Sequence, residues 1–465
     1  MVFQNDILAG SSGTPVSSVY KIDQSIRFND DDSAYMSKSI SSTSSRTTWT
    51  FSTWFKLGNS GINLSFNGLF SAVWNSSNFV NIALSNSSYG IDFLFYGSGS
   101  TLGRLNATRL LRDPSAWYHL VAVFDSTNAV ASERMRLYIN GVRETSFTTE
   151  SYPSKDSTPI VNYATATHNL GRVYNAGTYS GYYYDGYMAE IHFLDGYAYD
   201  PSYFGLFNEN GIWIPKEYSG SYGTNGFYFK GESASDLGND SSGNNNDYTT
   251  SGLASHDQVL DTPTNNWCVM NPLNGDGGTT WKNGNLELST ANQGNNASSI
   301  FMTTGKWYWE VKGQGYAGGV CSIDRGAYNS GMTPSGSDSI GYYSNGTIYW
   351  GGGSDSTPAS YASSDIIGVA VNMDDGEISF YKNNTLQVTL TFASTVSSLA
   401  TDGCYAVVNN GTSSTTYVFY LNFGQDGTFA GTETAQGNSD GNGVGNFYYT
   451  PPTGYLALCT KNLGS

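Results

Sequence analysis

Apolar residues recur at every second position of this chain, in short runs separated by turn residues. In Trp49-Thr50-Phe51-Ser52-Thr53-Trp54-Phe55 the alternation places Trp49, Phe51, Thr53 and Phe55 on one face and Trp54 on the other. That is the two-residue period of a pleated strand. Residues 91–96 read as a second strand, and residues 117–125 are apolar enough for a central one. Residues 134–139 run into Asn140-Gly141 and return through 142–145. Asn-Gly accepts the positive φ that both central positions of a type I′ turn need, so a hairpin is predicted here. A further strand covers 186–194 and stops at Asp195-Gly196.

A second strand series begins at 306–312, where Trp307, Trp309 and Val311 share a face. Residues 339–344 pass through Asn345-Gly346 into 347–350. Residues 366–373 reach Asp374-Asp375-Gly376 and return over 377–382, and 417–424 form a late strand. No long helical period interrupts either series, and strands at this spacing indicate sandwiches or barrels. Residues 1–24 are polar and Gly/Ser-rich and read as an arm. Residues 206–270 are dense in Gly, Asn, Ser and Tyr, with a turn-rich stretch at 240–247. Their many aromatics predict an ordered connector that packs on its neighbours. The expected layout is an arm (1–24), a sandwich (25–205), the connector (206–270) and a second sandwich (271–465).

Composition agrees with an all-β chain. There are 55 Gly, 35 Tyr and 23 Phe, and only 13% of residues are charged. Strong helix formers are sparse, and an aromatic content of 15% excludes the disordered class. The net charge of −17, with no basic run, argues against nucleic acid as a partner. No run approaches the roughly 18 apolar residues of a membrane span, so no membrane partner is expected. The start, MVFQNDILAGSSG, lacks the basic and apolar regions of a secretory signal, so synthesis and folding in a cytosol are expected. Cys268, Cys321, Cys404 and Cys459 fit no zinc spacing and are expected to be reduced thiols in or near the cores. A Cys321–Cys404 bridge is not decided by the sequence.

Several segments carry family resemblances. Ser25-Ile26-Arg27-Phe28, the strand at 50–56, Trp117-Tyr118-His119-Leu120-Val121, the hairpin at 137–141 and Asp185-Gly186-Tyr187-Met188-Ala189-Glu190-Ile191 resemble, in order, a laminin-G-like, concanavalin A-like module. Trp307-Tyr308-Trp309-Glu310-Val311, Gly319-Val320-Cys321, Ile367-Gly368-Val369, the hairpin at 377–384 and Asn422-Phe423-Gly424 resemble a SPRY (B30.2-like) module. Both resemblances imply concanavalin A-like antiparallel β-sandwiches (jelly rolls), here two in tandem, and SPRY modules bind proteins without catalysing reactions. Asp113-Pro114-Ser115-Ala116-Trp117-Tyr118-His119, Gly211-Ile212-Trp213-Ile214-Pro215-Lys216, Asp240-Ser241-Ser242-Gly243, Asp261-Thr262-Pro263-Thr264-Asn265 and Asn271-Pro272-Leu273 resemble segments of virion proteins from marine tailed bacteriophages. That resemblance implies a subunit on the virion surface, as a head decoration, head fibre or tail fibre, with other virion proteins as partners. A lectin-like adhesin or carbohydrate-binding protein outside a virion is the alternative. A homo-oligomer is expected, with a trimer favoured.

Hydrolases of the concanavalin class need paired carboxylates on one strand face. Glu310 has Lys312 at i+2, and Glu190 has His192 at i+2. Neither spacing supplies the pair, Glu190 and His192 read as exposed residues on a polar strand face, and no Gly-x-Ser-x-Gly elbow occurs. A non-enzymatic protein is expected. Laminin-G-like modules often hold Ca²⁺, which would make Asp30, Asp31, Asp32, Asp240 and Asp247 its candidate ligands. Turn chemistry of Asp and Asn explains the same clusters. Glycans stack on exposed rings, and a host-surface polysaccharide is the ligand class considered. Tyr179, Tyr182, Tyr183 and Tyr184 crowd one loop, Trp74 adjoins Asn75, and Tyr342, Tyr343 and Trp350 surround a hairpin. Such rings also fill cores and subunit contacts.

Overall fold

A strand with one apolar face must bury that face against a second sheet, and this chain does so twice. The computed structural model describes residues 20–464 except 59–65, 86–88, 176, 180–181, 276–277, 292–294, 322–337, 352 and 411–414. Most of the expected arm therefore lies outside the described residues.

In the first sandwich one sheet runs Val142–Arg143, Met135–Ile139, Trp117–Asp125, Thr48–Leu57, Gly186–Asp195, Ser25–Phe28, Gln258–Val259. Phe227–Phe229 also pairs with Gly186–Asp195. The facing sheet runs Phe147–Ser151, Ser100–Ala107, Ile91–Gly97, Asn78–Ser85, Phe66–Asn75, Thr167–Leu170, Tyr35–Ser39, Thr249–Ser251. Three connector strands thus belong to the two sheets of the first sandwich. Between the sheets Trp49 stacks on Phe124 at 5.4 Å, and Phe51 stacks on Phe70 at 5.0 Å. The expected hairpin is present: Asn140 and Gly141 have φ of 48° and 77°, as a type I′ turn requires.

The second sandwich repeats the plan. One sheet runs Thr279–Lys282, Glu287–Thr290, Tyr417–Asn422, Lys306–Gly313, Ile366–Asn372, Glu377–Lys382, Thr385–Thr391, and Leu456–Ala457 lies parallel to Lys306–Gly313. The other runs Asn295–Met302, Cys404–Asn409, Tyr316–Cys321, Ser339–Tyr343, Ile348–Trp350, Gly353–Asp355. Trp309, Val311, Val369 and Phe380 fill the space between. Cys268 and Cys459 are buried thiols, and burial pushes both up to about 11. The Cys321 side chain lies outside the described residues.

The two sandwiches meet through buried charge. Arg27 alternates with the core residues Ile26 and Phe28, so it points away from its own core, yet it is fully buried. Its Nη1 donates to Asp426 of the second sandwich at 2.7 Å, its Nε to Asp257 at 3.4 Å, and its Nη2 to the His256 carbonyl. Lys56 is equally buried. Its ammonium donates to Asp261 (2.7 Å), Asn266 (2.8 Å) and the Trp267 carbonyl (3.1 Å), which satisfies all three of its protons. Tyr187 donates to the Gly284 carbonyl, and Asn285 donates to that of Gly58. Gly284 admits no side chain, because an added Cβ would lie 2.2 Å from the Tyr187 ring. The sheets containing Thr48–Leu57 and Lys306–Gly313 turn their outer faces to this joint and its covering segments. The other two are the far sheets.

Candidate functional site

The far sheet of the first sandwich departs from simple apolar-in, polar-out alternation. On Asn78–Ser85, Val80, Ile82 and Leu84 face the core, while Phe79 and Asn81 point outward. The segment after Thr167–Leu170 is laid across this outer face. Ser71 donates to the Arg172 carbonyl at 3.1 Å, and the Asn81 amide donates to the Tyr174 carbonyl at 2.6 Å. The Tyr174 N–H donates back to Asn81.

This seating builds a ribbon of rings. The Arg172 guanidinium lies between Tyr35 and Tyr179, 3.3 and 4.0 Å from their centroids. Tyr174 meets Tyr179 edge-on at 5.1 Å and Phe79 at 5.7 Å. Phe79 stacks on Tyr96 at 4.8 Å. Tyr183 lies 6.3 Å from Tyr35. The ribbon crosses from the strand of Tyr35 to the strand of Tyr96, four inter-strand steps or about 19 Å. Buried Asn169 fixes the cation: its Oδ1 accepts from Arg172 Nε and Nη2 at 3.0 and 2.8 Å. The Asn169 amide in turn donates to Ser71 and the Thr167 carbonyl.

The structure sorts the sequence-derived candidates. Tyr179 and Tyr183 belong to the ribbon, and Tyr182 closes the segment by backbone bonds to Val173 and Tyr179. Tyr184 is a correction. It is fully buried, packs edge-on against Phe28 and donates to the Lys56 carbonyl, so it has no face for a ligand. Trp74, 50% exposed, forms a separate contact with Tyr163 at 5.8 Å, over which the Arg46 guanidinium sits at 4.7 Å. In the second sandwich Tyr342 is also a correction. It is buried between Tyr361 and Phe380 and donates to the Ala359 carbonyl. Trp350 packs partly against the same core. Tyr343 turns outward onto Tyr349 at 4.4 Å, on the outer face that also carries Tyr405. Sequence reasoning passed over Tyr35, Phe79, Tyr96, Asn169, Arg172 and Tyr174. The available signal was aromatic residues at outward positions of strands, Phe79 and Tyr96 above all.

The acidic clusters are occupied by turn and joint contacts. Asp31 pairs with Lys282 across the joint at 3.1 Å, and Asp32 accepts from Asn29. Burial and the neighbouring Asp31 raise Asp30 above the usual carboxylate range. Asp240 accepts from the backbone N–H of Tyr228, Ser242 and Asn246 and from the Ser242 hydroxyl, and Asp247 accepts from the Asp240 N–H. Among the described residues no group of three His, Cys, Asp or Glu side chains is placed to hold a metal.

Glu190 and His192 differ most from expectation. Both are buried, because the segment after residue 195 folds back over their face. Glu190 occupies a β-bulge with φ of 51° and accepts from Tyr228 (2.5 Å) and Tyr20 (2.9 Å), while His192 lies 3.4 Å away. Burial pushes Glu190 up, but His192 and the two tyrosines outweigh it and hold the carboxyl below its ordinary range. Glu310 is fully buried too, and burial pushes it up to about 7 although the Tyr448 and Tyr449 N–H groups and Asn422 donate to it. Each carboxylate is enclosed by its own hydrogen-bond partners.

Residues 29–198 match the family model of the concanavalin A-like lectin/glucanases superfamily, and residues 306–422 match that of the SPRY domain. The chain therefore carries a concanavalin A-like domain followed by a SPRY domain. Solved structures similar to it include the TRIM65 PSpry domain, at 13% identity and a TM-score of 0.27, covering 33% of this chain and 88% of that one. The human HERC1 SPRY domain matches at 18% identity and 0.25, covering 33% and 96%. A heptameric SAP-like pentraxin from Limulus polyphemus matches at 13% and 0.28, covering 38% and 78%. No curated protein matches the chain.

Proposed function

We propose that this chain is a non-catalytic glycan-binding protein that presents the ring ribbon of its first sandwich to a polysaccharide. The observation that carries the reading is the Tyr35–Arg172–Tyr179 stack and its continuation through Tyr174, Phe79 and Tyr96. Sugar rings have apolar C–H faces that pack on aromatic rings, and their hydroxyls need donors and acceptors beside those rings. A half-buried ribbon on a rigid sheet, with Asn and Arg among the rings, meets both needs. The concanavalin A-like class of the domain supports it. The closed environments of Glu190, His192 and Glu310 support a protein without hydrolytic chemistry.

A glycan array followed by calorimetry tests the proposal. Tyr179→Ala is expected to weaken binding at least tenfold with little loss of stability, since Tyr179 lies outside the core. Equal binding by wild type and Tyr179→Ala would move the site elsewhere.

Display on a virion is the second reading. It is favoured by where the phage-like segments lie: Asp261 and Asn265 hold the joint, and Trp213 donates to His119 under the connector. These segments build the rigid scaffold on which a displayed module depends. Mass spectrometry of purified particles tests it, and absence of the protein would end it.

A further inference from the structure

Arg172 is bound in an unusual way for a cation in so acidic a chain. Both faces of its guanidinium are covered, by Tyr35 at 3.3 Å and Tyr179 at 4.0 Å. One edge, Nε and Nη2, is spent on Asn169 Oδ1. A guanidinium carries five N–H donors in a planar fork, so three remain, of which two, one each on Nη1 and Nη2, form the end edge. Arg172 is only half-buried, and among the described residues its hydrogen bonds go to Asn169 and none takes that end edge. Its hydrogen-bond partner is an amide, and among the described residues no carboxylate pairs with it. The partner is itself completely buried and held by Ser71 and Thr167, which fixes the direction of the fork.

We infer that this fork receives a carboxylate, and that the glycan is one bearing acidic sugars, uronic or nonulosonic. The inference rests on the glycan reading above and narrows it. A planar carboxylate takes two parallel N–H···O bonds from an arginine end edge, while Tyr35 and Tyr179 flank the acid and reject water. Neutral sugars would leave the charge unmatched. Other arginines are differently used: Arg27 and Arg104 are paired with aspartates, and Arg46 donates to the Pro159 and Thr158 carbonyls.

The test uses the full chain and matched ligands. Oligosaccharides containing a uronic acid or a nonulosonic acid are compared with the same compounds after carboxyl reduction to the alcohol. Binding is expected to fall at least tenfold on reduction and to weaken with added salt. Which acid-bearing set binds identifies the source of the carboxylate. Arg172→Lys keeps the charge but not the fork and is expected to lose most of the difference between acid and reduced forms. Leu386→Ala, an exposed side chain on the second sandwich, is expected to keep it. Equal binding of acid and reduced forms would overturn this inference and leave the glycan reading intact. Binding of neither, with the protein folded by near-UV circular dichroism, would overturn the glycan reading itself.

Discussion

Glu310 shows how far one buried side chain moves the pH response. Folded, it keeps its proton to about pH 7, whereas its unperturbed value is 4.5. Between those values the folded chain binds more protons than the unfolded one, so stability falls as pH rises. His168 acts in the opposite sense: burial holds it down to about 3, so its contribution is full above pH 6.5 and is lost as pH falls toward 3. Urea titrations at pH 5 and 7.5 are expected to show Glu310 costing the wild type roughly 3 kcal/mol at the higher pH. Glu310→Gln is expected to remove that slope. Little of this is legible in the sequence. Glu310 sits at an outward position of an alternating strand, which reads as solvent-facing, and only the later strand 417–422 and residues 447–449 enclose it.

The segment 171–185 decides whether the far sheet has a binding face. Its first part is seated on the sheet by the Ser71–Arg172 bond and the reciprocal Asn81–Tyr174 bonds. Loss of such side-chain-to-backbone bonds acts on local opening before global unfolding. Asn81→Ala is expected to speed hydrogen exchange at the Tyr174 amide, abolish glycan binding and lower the melting temperature by only a few degrees. Strong global destabilisation would mean that the Asn81–Tyr174 bonds support the whole sandwich and not the ribbon alone. At this scale the sequence was informative about strands, because their period repeats locally. Crowding in the sequence singled out Tyr179 and Tyr183, and both rings lie in the ribbon. It misassigned Tyr184 and Tyr342, since a ring's side of a sheet depends on which strand lies beneath it. Tyr35 and Phe79 reach the ribbon across long sequence separations that no local pattern records.

At the scale of the whole molecule, two sandwiches in series were readable, but their joint was not. Arg27, Lys56, Asp257, Asp261 and Asp426 are scattered and look like ordinary solvated charges. They become buried only because the connector and the second sandwich close over an outer strand face. Removing one partner of a buried pair strands the other and costs about 3–5 kcal/mol. Wild-type protein is therefore expected to unfold in one calorimetric transition. Asp426→Asn is expected to lower its midpoint and split it in two. Two transitions in the wild type would show that the joint does not couple the sandwiches.

Both ends of the described chain return to this joint. Thr264 binds the Ile22 backbone on both its N–H and its carbonyl, and two residues on Asn266 exchanges bonds with Thr460. A linker joined at residue 22 or residue 460 would thus meet the molecule at the joint. Immobilised on a chip through such a linker, the protein would be held on the side of its outer strand face at Thr48–Leu57, away from the sheet that carries the rings. A circular permutant that links residues 22 and 460 and opens elsewhere would need only a short bridge.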